Sequence, residues 1–180
     1  MRLSFYVITG GPGVGKTTLV QALENAGYPA VPEAARIIIQ QQMAINGDGL
    51  PWKNKEKYTN LMLEAAIRDY KQAVENHTGS IFFDRSVFDA ICYATMIGYT
   101  IDASLMKAAL SCRYNKVVFM LPPWPEIYKT DKERKQSWKE AEYTYYRMKK
   151  TYHQYGYDVV DVPKGAIDKR KEFVLSHIKG

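Results

Sequence analysis

Cysteine is scarce in this chain: Cys92 and Cys112 are the two among 180 residues. That excludes a disulfide framework and predicts a reduced interior with both thiols in the core. No apolar run approaches the ~20 residues a spanning helix needs. The opening Met1-Arg2-Leu3-Ser4-Phe5-Tyr6-Val7-Ile8 meets glycines and a lysine at once, without the long apolar centre or small-residue cleavage site of a signal peptide. A cytosolic protein with no membrane span is therefore expected. Histidine is sparse and scattered (His77, His153, His177), and no Cys/His cluster has zinc spacing. Repeats and low-complexity tracts are missing as well. Acidic residues are the minority sign, 19 against 25 Lys+Arg, for a net charge of +6. That excess favours an anionic partner: a nucleotide, a nucleic acid or an anionic lipid. The length suits one domain of the ~100–200-residue class.

What is present alternates between strand and helix patterns. Leu3 to Thr9 is a short apolar run ending in glycines, the pattern of a buried parallel strand. Gly15 to Asn25 has helical spacing, Tyr28 to Val31 is a weak second strand, and Glu33 to Ala44 is a helix with an apolar centre at Ile37-Ile38-Ile39. Lys55 to Asn76 predicts a long amphipathic helix with Leu61, Ala65, Ala66, Tyr70 and Val74 on its apolar stripe. Strands follow at Ser80 to Phe83, Lys116 to Leu121 and Tyr157 to Val162. Helices are expected over Val87 to Ile97, Ala103 to Cys112, Lys132 to Gln154 and Ala166 to Ile178, with a turn or two at Pro125 to Tyr128. This alternation implies βαβ units and one α/β domain over 1–180.

Gly10-Gly11-Pro12-Gly13-Val14-Gly15-Lys16-Thr17 fits G-x-x-x-x-G-K-[ST] between a predicted strand and a predicted helix. Successive backbone N–H groups form an anion nest there, and the helix start adds its positive end. Lys16 is placed for the β- and γ-phosphates, Thr17 for Mg²⁺ and Thr18 for the α-phosphate. A nucleoside triphosphate is the anionic partner this motif selects. ATP is favoured over GTP because Asn115-Lys116 is followed by two valines, so no N-K-x-D guanine motif occurs.

The third strand runs into Asp84-Arg85-Ser86. A carboxylate at that strand end can reach Mg²⁺ beside the phosphate loop, or else cap the next helix. Deoxynucleoside and thymidylate kinases carry an acid-Arg-Ser or acid-Arg-Tyr sequence here, which Asp84-Arg85-Ser86 resembles. That resemblance implies a phosphate- or hydroxyl-holding role for Arg85. Glu33, in Val31-Pro32-Glu33-Ala34-Ala35-Arg36, follows the second strand at the sheet end where ligands bind in doubly wound folds. It is a candidate general base, a metal-side carboxylate or a helix-start acid. Arg36 either binds an anion or pairs with Glu33. Small kinases carry a basic lid at this point in the chain. Thr130 to Gln136, within about 129–140, either resembles that lid or is a solvated helix start. The lid reading would make Arg134 the leading candidate for transition-state charge, with Lys132 and Lys135 behind it. Val162 and Pro163, in the loop after the fifth strand, are expected against the base.

ITGGPGVGKTT, VPEAAR, FFDRS, LPPW with EIYKTD and ERKQ, and GYDVVDVP together span nearly the whole chain. On these stretches it resembles the small AAA-domain family of ATPases, near the ribosylnicotinamide-kinase domain. The resemblance implies a three-layer αβα P-loop NTPase with a five-stranded parallel sheet in the order 2-3-1-4-5, like nucleoside and nucleotide kinases. The function it suggests is transfer of the ATP γ-phosphate to a small nucleoside-like or other metabolite. The catalytic set would be Lys16, Glu33, Asp84, Arg85 and Arg134, and the metal set Thr17, Asp84 and Glu33. Met43 to Lys57 and Val87 to Cys112 would form the acceptor side. A regulatory ATPase that signals to a macromolecular partner is the alternative. Tyr143, Tyr145, Tyr146, Tyr152, Tyr155 and Tyr157, with Arg147, Lys149 and Lys150, suggest helix packing with hydroxyls at the rim rather than stacking on nucleic acid. Lys169-Arg170-Lys171 suggests a solvated helix face. Trp124 either stacks on substrate or closes the sheet end.

Overall fold

A computed structural model describes residues 3–127 and 137–178. The strands are β1 (Ser4–Gly10), β2 (Ala30–Val31), β3 (Ser80–Asp84), β4 (Val117–Leu121) and β5 (Asp158–Asp161). The helices are α1 (Lys16–Glu24), α2 (Ala34–Ala44), α3 (Lys55–Asn76), α4 (Val87–Met96), α5 (Ala103–Ser111), α6 (Trp138–Gln154) and α7 (Ile167–Ser176). A 3₁₀ turn covers Pro125–Ile127. The strands form one parallel sheet in the order β2-β3-β1-β4-β5, the expected order. Of the lid expected over 129–140, residues 129–136 and with them Lys132, Arg134 and Lys135 lie outside the described residues. Beyond them Ser137 and Glu140 close a capping box that starts α6.

The central strand shows why the sheet is sandwiched. Its side chains alternate between faces, and both faces are apolar. Phe5 and Val7 join one core cluster with residues of α3, α4, α5 and α6, while Tyr6 and Ile8 join a second with Leu19, Leu23 and Val174 of α1 and α7. Burial on both sides leaves the C-terminal strand ends as the place where polar groups gather.

Several sequence expectations shift in the fold. Of the apolar centre of α2, Ile38 is buried but Ile37 is 46% exposed, because α2 rests on α3 along a narrow contact through Ile38, Tyr58 and Ala65. Along α3 the buried face is Leu63, Ala65, Ile67 and Ala73, whereas Val74 is 47% exposed. Leu61, Ala65, Ala66 and Tyr70 do pack against the core, so the assigned stripe fails only at Val74. The second strand shortens to two residues, paired only with β3. Both cysteines are buried and free. No described helix is long and apolar enough to cross a membrane.

Gly10 closes β1 in register with Leu121 of β4. A Cβ there would stand 2.6 Å from the Leu121 carbonyl oxygen, and its φ of 141° disfavours any other residue. Gly10→Ala should therefore cost about 1–3 kcal/mol of stability through overpacking, read as a lower urea midpoint. A wild-type midpoint would contradict this account of the strand end.

Candidate functional site

The phosphate-loop sequence leaves β1 at Gly10 and enters α1 at Lys16, with Gly15 at the helix start in the left-handed region (φ 79°). The Lys16 side chain folds back over the loop, its Nζ donating to the Gly11 carbonyl at 3.1 Å. It is buried, and burial together with repulsion from Arg85 brings it down to about 8 despite the neighbouring carboxylates. Thr17 and Thr18 face solvent.

Three carboxylates and one guanidinium surround this lysine. Asp84 ends β3 opposite Ile8. Its Oδ1 is buried with no hydrogen-bond partner, and burial raises its carboxyl above the usual range. Arg85 continues the ladder, its N–H donating to the Ile8 carbonyl at 3.0 Å, yet sits at φ 75°. A non-glycine residue there stores strain of order 1–3 kcal/mol. The strained turn sends the guanidinium between two acids. Nε donates to Glu33 Oε1 at 2.7 Å and NH1 to Asp89 Oδ1 at 3.2 Å.

Glu33 stands at the N-cap position of α2 but makes no cap hydrogen bond through its side chain. Its carboxylate goes to Arg85 instead. Burial alone would raise it, but Arg85 and Lys16 outweigh burial and hold it down to about 2. Arg36, three residues on, is exposed and forms no ion pair among the described residues. Arg85 is driven the other way: burial opposes its charge, but Glu33, Asp89 and Asp84 hold it firmly protonated.

Asp89 is the residue the sequence reading missed. One oxygen accepts from Thr9 Oγ1 at 2.5 Å and from Arg85, and the other accepts from Tyr152 Oη at 2.5 Å and the Ser86 N–H at 2.9 Å. The signal was a capping box: Ser86 caps α4, and Asp89, three residues on, reaches back to the Ser86 N–H. Tyr152, fully buried on α6, also meets Ser86 Oγ at 2.7 Å. One carboxylate thus ties β1, β3, α4 and α6 to the position of Arg85.

Arg170 corrects the expectation of a solvated basic face. It is 4% exposed, because α7 docks on α1 and turns this side chain under the phosphate loop. Its NH2 donates to the Val14 carbonyl at 3.2 Å, and its guanidinium lies 5.5 Å over the Trp124 ring. That contact also accounts for Trp124. Lys169 is exposed and Lys171 pairs with Asp168 at 2.9 Å. Pro163 is exposed, while Val162 is 1% exposed in the core beside Val14 and Leu19, so Pro163 is the one of the two facing outward. Tyr143 and Tyr146 point into solvent, whereas Tyr145, Tyr152 and Tyr157 pack inward.

Set beside known proteins, residues 5–170 match the model of a family described as AAA domain. A search of curated proteins returned no match. Among solved structures, NadR in complex with NR superimposes with a TM-score of 0.72 at 18% identity, covering 96% of this chain and 49% of that one. The chain thus spans about half the length of NadR. Deoxyadenosine kinase from M. mycoides with bound dATP gives 0.56 at 17% identity, covering 98% and 100%, and thymidylate kinase from Ehrlichia chaffeensis gives 0.60 at 12%, covering 99% and 100%. These likenesses are of fold: the chain has the kinase-like P-loop architecture.

The depressed Glu33 carboxyl carries a stability consequence. A carboxyl lowered from 4.5 to about 2 on folding adds stability that is full above about pH 4.5 and is lost as pH falls through about 2. The Glu33→Gln protein should be less stable than wild type at neutral pH by on the order of 2 kcal/mol. The gap should narrow steadily below pH 4.5, measured by denaturant unfolding across pH. A pH-independent gap would contradict the Arg85 pairing.

Proposed function

The chain belongs to the AAA-domain family, and from that premise we propose that it is an ATP- and Mg²⁺-dependent phosphotransferase. It moves the γ-phosphoryl group of ATP to a small nucleoside-like acceptor. The observation that carries this reading is Arg85 suspended between Glu33 and Asp89 across from the buried Lys16. A site that only hydrolysed ATP would need to orient one water. Here a cation and a carboxylate are paired beside the phosphate loop, which suits an acceptor hydroxyl next to a transferred phosphate. The nucleoside and nucleotide kinases of like fold support the acceptor class.

In this reading the phosphate loop binds the triphosphate through its backbone N–H groups, and Lys16 follows the β- and γ-phosphates. Thr17 and Asp84 would hold Mg²⁺; the exposed hydroxyl and the unpartnered, buried Asp84 Oδ1 suit a cation that keeps most of its shell as water and phosphate. Bound there, the ion neutralises charge on the phosphates. Glu33 is ionised and ready to accept a hydrogen bond from an acceptor hydroxyl, but its low proton affinity makes it a weak base while Arg85 holds it. An incoming phosphate that draws Arg85 away raises that affinity, so the base strengthens as the substrate seats. Arg134 would add charge from the lid. Pro163, exposed after β5, would border the base.

Transfer of label from γ-labelled ATP to a nucleoside and metabolite panel tests the proposal. Glu33→Gln should lower kcat about 100-fold or more, with ATP affinity changed only severalfold. Parallel loss of both would contradict the base role. Release of free phosphate alone, across the whole panel, would contradict the kinase reading.

Lys16 supplies an independent check. At about pH 9 it is largely neutral in the free protein, and a triphosphate favours its charged form. ATP binding should therefore take up a proton, so its calorimetric enthalpy should change with the ionisation enthalpy of the buffer. Buffer-independent enthalpies would place Lys16 away from the phosphates.

A further inference from the structure

On the seam between α4 and α6 lies a cavity of about 270 Å³ that the proposed reaction does not use. Arg147, Lys150 and Gln154 of α6 line it, and no lining residue is acidic. Arg147 is half-buried, its Nε shut off from solvent and without a hydrogen-bond partner, so the NH1 and NH2 end is what faces the space. Neither Arg147 nor the exposed Lys150 forms an ion pair among the described residues. A buried guanidinium N–H without an acceptor is costly and calls for one. The chain itself offers little. The Thr95 and Thr151 hydroxyls beside the cavity already donate to the Ile91 and Arg147 carbonyls, at 3.0 and 2.9 Å. The walls hold donors and cations in excess of acceptors, which is the chemistry of an anion site.

We infer that this cavity binds a phosphomonoester dianion, with Arg147 forking onto the phosphate and Lys150 and Gln154 completing its shell. A guanidinium presents two parallel N–H groups to tetrahedral phosphate oxygens, and the second cation matches the second negative charge. The space equals about nine liquid water volumes, enough for a phosphate and a short carbon body. Ile91 and Tyr155 form the apolar wall that such a body would cover. The site is separate from the phosphate loop, since none of its lining residues belongs to that loop. It does share helices with the Asp89–Tyr152 contact.

Arginine Nε–H resonances in ¹H–¹⁵N spectra read the site directly. Titrating inorganic phosphate into the wild-type protein, and into Lys16→Ala to weaken the phosphate loop, should shift the Arg147 resonance saturably in both. An Arg147→Lys/Lys150→Gln protein with unchanged thermal midpoint should bind at least tenfold more weakly. Glycerol phosphate and vesicles carrying phosphatidate then distinguish sources. Tighter binding of either than of inorganic phosphate supports the site and names a soluble ester or a lipid headgroup as its ligand. An Arg147 resonance that stays still while phosphate-loop resonances move, or undiminished affinity in the double variant, would overturn the assignment.

Discussion

The site depends on the placement of one charge, the Arg85 guanidinium. It is drawn out of solvent, held in a strained left-handed backbone turn and fixed by Glu33 on one side and Asp89 on the other. Burial without partners would be prohibitive for such a group. The fold around it therefore supplies acceptors from elements far apart in sequence. Glu33 comes from the end of β2, and Asp89 comes from α4 and is itself held by Thr9 and Tyr152. Removing either acid would leave the Arg85 guanidinium short of one of its two acceptors, so the group behaves as a unit.

The electrostatic balance follows from that unit. Lys16 and Arg85 face Glu33, Asp84 and Asp89, so the described centre carries no excess of positive charge although the chain does. A triphosphate arriving here is met by backbone N–H groups and by cations that its own charge must recruit from carboxylate partners. In the proposed reading, binding and rearrangement of Arg85 would be one event. Arg147 and Lys150, which form no ion pair among the described residues, stand away from this centre on the α4–α6 seam.

Much of this was legible in the sequence, and the reasons differ by element. The phosphate loop is a local pattern that spacing located, whereas Asp84-Arg85-Ser86 stood out by its resemblance to the acid-Arg-Ser of deoxynucleoside and thymidylate kinases. The sheet order came from resemblance and was borne out. Glu33 was located, but its bond to Arg85 crosses 52 positions and needed the parallel sheet to bring β2 and β3 side by side. Asp89 lay in plain view three residues after the Ser86 cap, yet its role depends on Thr9 and Tyr152, which only tertiary packing delivers. Arg170 failed for a related reason: Lys169-Arg170-Lys171 has the composition of a wet surface, and burial of its middle member depends on the angle at which α7 meets α1. The apolar stripe of α3 held through Leu61, Ala65, Ala66 and Tyr70 and failed at Val74, in the last turn of the helix.

The central claim is that the γ-phosphoryl group goes to an acceptor rather than to water. Turnover of ATP in ¹⁸O-labelled water, with acceptor present, measures that partition directly. The account predicts a phosphorylated acceptor free of ¹⁸O, with little labelled inorganic phosphate beside it. Quantitative appearance of ¹⁸O in inorganic phosphate, with no phosphorylated acceptor, would contradict it.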